Sequence, residues 1–288
     1  MKKPWHIWRD RRGRLSALRI VTLALLLLPL GKAIFEAGEI SHGARPLNDL
    51  IHRAGFWALV FLGCALLVTP LRRIGRFGAL IDVRRMIGVV AFCYIAAHLT
   101  LYVADQRFDL GKVAYEISHR VYLIIGGIAW LGLAVLAATS TDAMTRRLGG
   151  QRWRRLHQAS YAIALLALIH YFQQTKADVS VSTFAAGLVA WLMGYRLLAW
   201  WRQGNELSTL TLLALAVTVS ALTFAGEAIG IGIVFNASPL RVLGTAFDFG
   251  AGIRPGWLVL GAGLCVAGLD AVRSRMRSQR SAQPVAAE

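Results

Sequence analysis

Two histidines, His98 and His170, lie inside long apolar runs, where an ionisable side chain is costly and is kept for a purpose. Counted from the basic inner ends of their runs, each is about 12 or 13 residues in. At 1.5 Å per residue, both reach a similar depth in the outer half of a bilayer. Two imidazoles at one level on neighbouring helices can grip a metal from both sides. Neutral imidazole supplies a nitrogen without bringing net charge into the membrane, which suits the axial positions of a haem b. The competing reading is that each ring only hydrogen-bonds a neighbouring helix. The matched depth favours ligation.

His157 precedes His170 by 13 residues, about 20 Å along a straight helix, a spacing suited to a second haem or to one haem and an access site. Thirteen residues also rotate the side chain by roughly 140°, so the two need not share a face. At the same inner level the third run offers Arg84 and Arg85 and no histidine. With Arg152, Arg154 and Arg155, these could hold haem propionates or a flavin phosphate by bidentate hydrogen bonds. The positive-inside bias alone also accounts for them. His52, which opens the second run near the level of His98, is a secondary candidate ligand. His42 and His119 read as outer-loop residues, His6 as part of a basic N-terminus, and Glu227 as an unpaired acid within the seventh run. Cys64, Cys93 and Cys265 lie in apolar runs without paired spacing and read as packing residues.

The elements that must position these groups are membrane helices. A chain of 288 residues that is 56% hydrophobic has more apolar surface than a soluble core can bury. Its mean hydropathy is +0.53. A hydrocarbon core needs roughly 20 apolar residues per span. Eight segments meet that need, near 16–35, 53–70, 86–104, 121–139, 157–174, 180–201, 208–231 and 256–272. The net charge of +17 sits in short clusters between these runs and not in one stripe, which excludes nucleic acid as the partner. Most of the Lys and Arg fall on one side if the N-terminus is inside, so both termini are expected in the cytoplasm of an inner-membrane protein. Trp200, Trp201 and Arg202 read as an interfacial anchor ending the sixth span. No segment is long enough for a nucleotide-binding fold, so reducing power must come from a separate donor. The stretch after about Arg273 reads as a disordered basic tail.

The order and spacing of several stretches resemble the ferric-reductase-like transmembrane family. They are Thr69-Pro70-Leu71 with the basic loop after it, Arg84-Arg85-Met86-Ile87-Gly88, Ala97-His98-Leu99-Thr100, Thr139-Ser140-Thr141 with Ala143-Met144, and Arg152-Trp153-Arg154-Arg155-Leu156-His157 through Ile169-His170-Tyr171. Within that family the chain is most similar to the haem-binding subunits of periplasmic methionine sulfoxide reductase systems. The resemblance covers roughly residues 15–203 and implies an all-α membrane protein with a six-helix haem core plus about two extra C-terminal helices. The implied division is a basic N-terminus over 1–14, the haem-binding domain over 15–203, an additional two-helix segment over 204–272 and a basic tail over 273–288.

The resemblance further implies electrons arriving from the quinone pool or a cytoplasmic flavin reductase and leaving to a periplasmic molybdopterin-dependent methionine sulfoxide reductase. His98 and His170 then look like axial haem ligands. His157 looks like a ligand or neighbour of a second haem or of FMN. Unlike flavocytochromes of the NADPH oxidase type, which carry two histidines on each of two helices, the third run has one. That departure argues against a complete second bis-histidine site. The rival readings are a transmembrane ferric or cupric reductase component and a haem-free transporter or structural membrane protein.

Overall fold

The computed structural model describes residues 8–9, 13–36, 45–175, 178–204 and 206–282; His6 and His42 lie outside the described residues. Its elements are helical, and they group into two compact units. One comprises the chain up to Val68 and from Ala79 to Gln174; the other comprises Thr69–Gly78 and everything from Thr175 onward.

In the first unit, α1 (Ala17–Phe35) starts where the Ser16 hydroxyl accepts the Arg19 amide. It is tied inward where the Tyr94 hydroxyl donates to the Leu26 carbonyl. Beyond its end Glu36 pairs with Arg53 at 2.7 Å, and that hydrogen bond holds the carboxyl below its ordinary range. Helices α2 (Pro46–Ile74) and α3 (Ile81–Asp105) run past the expected spans at both ends. The connection after α3 is not plain loop. It folds into α4 (Leu110–His119), capped by the Asp109 side chain and seated by buried Val113. The alternation of apolar and polar residues over those ten positions is too short to register as a membrane signal. Then follow α5 (Val121–Ala138), the short α6 (Asp142–Leu148) and α7 (Gly150–His157), and α8 (Ser160–Gln174).

Seven helices among the described residues are long and apolar enough to cross a membrane, against the eight expected. The difference lies at 157–174. There the helix breaks at Gln158–Ala159, with the Ser160 hydroxyl bonded to the His157 carbonyl at 2.8 Å and the Ala159 amide donating to Leu156 at 3.0 Å. What remains is α8, 15 residues long, or about 22 Å.

In the second unit, α9 (Ser180–Trp201), α10 (Thr209–Phe235) and α12 (Pro255–Ala282) pack together, with the short α11 (Pro239–Gly244) and two 3-10 turns before α12. The α9 face carrying buried Ser182, Thr183 and Gly187 meets Thr223 and Val259. Its small residues let the helix axes approach, the usual means of membrane helix packing. This grouping takes in α9, which the sequence-based division had joined to the haem core. Trp200 and Trp201 are exposed at the end of α9.

Three expectations are corrected here. Glu227 is not unpaired: it is buried and accepts from Arg254 at 3.1 Å, a partner 27 residues away that enters from the segment preceding α12. The stretch after Arg273 is not disordered as far as Ala282, because α12 continues through it without a Pro or Gly and Arg273 lies 4.2 Å over the Phe77 ring. The three cysteines are free and stand on exposed helix faces, where they are not packing residues.

Candidate functional site

His98 on α3 and His170 on α8 come together in the first unit, their ring centroids 6.3 Å apart and their planes at 90°. Each ring is seated the same way on a different helix. His98 Nδ1 lies 2.7 Å from the Ile51 carbonyl of α2, and His170 Nδ1 lies 2.7 Å from the Tyr122 carbonyl of α5. A carbonyl can only accept, so each Nδ1 carries the proton and each Nε2 keeps its lone pair. That is the tautomer a metal-bound imidazole needs, with its outer nitrogen oriented by backbone.

The seats also share a glycine. Four residues after Ile51 stands Gly55, where a Cβ would fall 2.9 Å from His98 Nδ1. Four residues after Tyr122 stands Gly126, where a Cβ would fall 2.8 Å from His170. One helical turn thus supplies the acceptor carbonyl and then the gap into which the ring fits. Four residues further along α5, Trp130 makes a ring contact with Phe92 of α3, and its indole N–H is buried without a hydrogen-bond partner in the protein. A buried donor left in this way calls for a non-protein acceptor.

The spacing is compatible with a shared metal. With a metal–imidazole bond of about 2 Å and roughly 1.1 Å from Nε2 to ring centre, two rings on one metal have centroids about 6 Å apart. No group of three or more His, Cys, Asp or Glu suited to a metal occurs among the described residues.

His52 is an electrostatic neighbour of both rings. It is exposed, and its Nδ1 is bonded to the Asn48 carbonyl of its own helix at 2.7 Å. His119, at the end of α4, stacks on Tyr115 at 4.0 Å.

At the other end of the unit, His157 stacks on Trp153 at 3.9 Å, and its Nε2 lies 3.2 Å from the Thr139 hydroxyl. That hydroxyl donates its single proton to the Val135 carbonyl, so it accepts from His157. His157 therefore holds the opposite tautomer, with Nε2 protonated and engaged by protein. The Trp153 indole donates to the Thr139 carbonyl at 2.9 Å, fixing the stack. Arg84 and Arg85 act electrostatically on His157, and Arg85 also pairs with Asp142. Arg152 and Arg155 are exposed on α7. The structure thus gathers the sequence-predicted residues into two places: His98, His170 and His52 in one, His157 with Arg84 and Arg85 in the other. Sequence reasoning passed over Gly55, Gly126 and Trp130. The available signal was a glycine inside an apolar helix, where it costs stability unless something must approach closely.

Comparison with known proteins bears on what this pair is for. A family model described as ferric reductase like transmembrane component matches residues 54–168. The protein-methionine-sulfoxide reductase heme-binding subunit MsrQ of Rhodospirillum rubrum is 39% identical over 190 residues, covering 66% of this chain and 89% of that protein. The chain belongs to the MsrQ family. The MsrQ of Ralstonia nicotianae is 36% identical over 195 residues, 67% of this chain and 90% of that protein. That of Xanthomonas oryzae pv. oryzae is 40% identical over 168 residues, 58% and 76% of the two. This MsrQ-family chain carries further residues beyond the part shared with these relatives. No solved structure matches it. Family and apolar helices together make it a multi-pass membrane protein and a membrane electron-transfer subunit.

Proposed function

We propose that the chain carries electrons through a haem b held between His98 and His170 and delivers them to a periplasmic methionine sulfoxide reductase. The observation that carries the reading is the paired seat: two neutral imidazoles, each with Nδ1 bonded to a backbone carbonyl, their centroids 6.3 Å apart. The residues fit the group, since the two imidazoles can offer their Nε2 atoms to one iron and the buried Trp130 indole N–H, one turn beyond Gly126, has no hydrogen-bond partner in the protein. Bound there, haem would supply a one-electron iron couple. His98 and His170 would hold it by Nε2. The Ile51 and Tyr122 carbonyls would keep both rings oriented and basic. The apolar walls would exclude water.

The haem-binding domain is taken as residues 15–203, with 204–272 as an added membrane segment. Both termini are taken to lie in the cytoplasm of a bacterial inner membrane. On that topology His157, Arg84, Arg85, Arg152 and Arg155 lie at the inner level. Quinol or a flavin reductase would donate electrons there, and the arginines could hold a propionate or the phosphate of FMN. The engaged Nε2 of His157 favours a neighbour's role over an axial ligand's. His52 stands as a secondary group at the outer site. The acceptor would be the catalytic subunit of a methionine sulfoxide reductase system, in keeping with the relatives' names, and is taken to be molybdopterin-dependent. A ferric or cupric reductase component is the second reading, favoured by the family-model match alone.

The test is a dithionite-reduced absorption spectrum with haem quantitation on the parent and on His98→Ala, His170→Ala and His157→Ala. Haem is expected in the parent, lost in the first two variants and largely retained in the third. Unchanged spectra in all three would overturn the assignment. Mixing the reduced parent with the periplasmic reductase and its sulfoxide substrate separates the two readings, because only the first expects reoxidation.

A further inference from the structure

The outer rim of the His98–His170 site is closed by four side chains from three helices and a junction. Tyr102 lies on α3, one turn outward of His98, and its hydroxyl donates to Glu116 of α4 at 2.7 Å. The other Glu116 oxygen accepts from Arg120 at 3.4 Å. Arg120, at the junction of α4 and α5, also donates to the Tyr122 hydroxyl at 3.2 Å. Tyr122 is the residue whose carbonyl seats His170, and its ring lies 6.2 Å from that imidazole, tilted by 30°. The chain of bonds therefore begins one turn from one candidate ligand and ends at the seat of the other. At its middle is a carboxylate that is mostly shielded, its side chain 16% accessible, paired with a guanidinium that is half exposed.

A carboxylate here is not needed to hold the rim together. A glutamine could accept from Tyr102, and the Arg120 amide already bonds the Glu116 carbonyl at 3.0 Å. What glutamine could not supply is the charge. Reduction of ferric to ferrous haem brings one electron to the iron, with no protein bond formed or broken. A fixed anion nearby opposes that electron and a fixed cation favours it, the more so where little water intervenes.

The geometry points to Glu116 and Arg120 as an opposed pair of positioning and tuning residues that set the reduction potential of the haem held by His98 and His170. The inference rests on the proposed haem site. In it, Glu116 lowers the potential and fixes Tyr102. Arg120 raises the potential and fixes the Tyr122 phenol beside the His170 seat. Their near cancellation keeps the couple placed for onward transfer.

The two groups therefore have opposite signs, which a purely structural clasp would not show. Redox titration of the purified full-length haem protein in one detergent, with haem content measured alongside, reads this directly. Glu116→Gln is expected to shift the midpoint upward and Arg120→Gln to shift it downward. The double variant should return close to the parent. Glu116→Asp keeps the charge and should stay nearer the parent than Glu116→Gln does; if Glu116→Gln fails to retain haem, the downward shift of Arg120→Gln carries the test. Shifts of the same direction in both single variants would overturn the inference, as would unmoved midpoints at parental haem content. So would a Glu116→Asp shift as large as that of Glu116→Gln. A parent without haem would instead bring down the proposed function, and this inference with it.

Discussion

A metal-bound imidazole is commonly oriented by a hydrogen bond from its other nitrogen, and each of these two rings also needs room against a neighbouring helix. Gly55 and Gly126 meet the second need, with hypothetical Cβ atoms 2.9 and 2.8 Å from the two rings. Contacts that short force either ring or helix to move. Alanine at either glycine is therefore expected to cost about 1–3 kcal/mol of packing and to lower haem content, since the ring it displaces is the ligand. Haem per protein from the reduced spectrum checks this. Parental haem content in both variants would show that the rings are not held where the glycines place them. The same logic explains why His157 differs. Its Nε2 is bonded to Thr139 and its face is covered by Trp153. A histidine at a plausible spacing is thus not equivalent to one whose Nε2 is left free of protein partners.

Helices carry a similar distinction between glycines that are crossed and glycines that face open space. On α9, Gly187 lies under Val259 and Thr223, with contacts of 2.4 and 2.7 Å awaiting any Cβ. On α2, Gly63 has nothing within 4 Å. Gly187→Ala is expected to lower the melting temperature of the purified protein, with a packing cost of about 1–3 kcal/mol. Gly63→Ala should raise it slightly, since alanine in an open helical position gains about 0.5–1 kcal/mol. Thermal unfolding in one detergent compares the two; equal effects would mean that α9 does not pack as described. The broken helix at Gln158–Ala159 belongs at this level too. Hydrophobicity counts residues 157–174 as one span, while the local hydrogen bonds of Ser160 and Ala159 divide it and leave His157 on a separate short helix.

The orientation proposed for the chain rests on charge placement, because clustered Lys and Arg stay on the side from which the helices insert. In a background lacking Cys64, Cys93 and Cys265, Lys112→Cys in α4 is expected to react with a membrane-impermeant maleimide in intact cells. Arg147→Cys in α6 should react only after permeabilisation. The reverse pattern would invert the topology and put the His98–His170 pair at the cytoplasmic side. Much was legible before any coordinate was known. The apolar runs, their number to within one, the basic clusters and the two histidines at matched depth are written in composition and spacing, because a bilayer imposes one length and one polarity rule on every helix that crosses it. Tertiary structure alone decided which carbonyl each imidazole meets, that Gly55 and Gly126 make room for them, that Arg254 reaches Glu227, and that Tyr102, Glu116, Arg120 and Tyr122 join into one rim. Those are contacts between residues far apart in the chain or on different helices. A periodicity along one helix records which face is apolar, and it carries no trace of the neighbour that the face will meet.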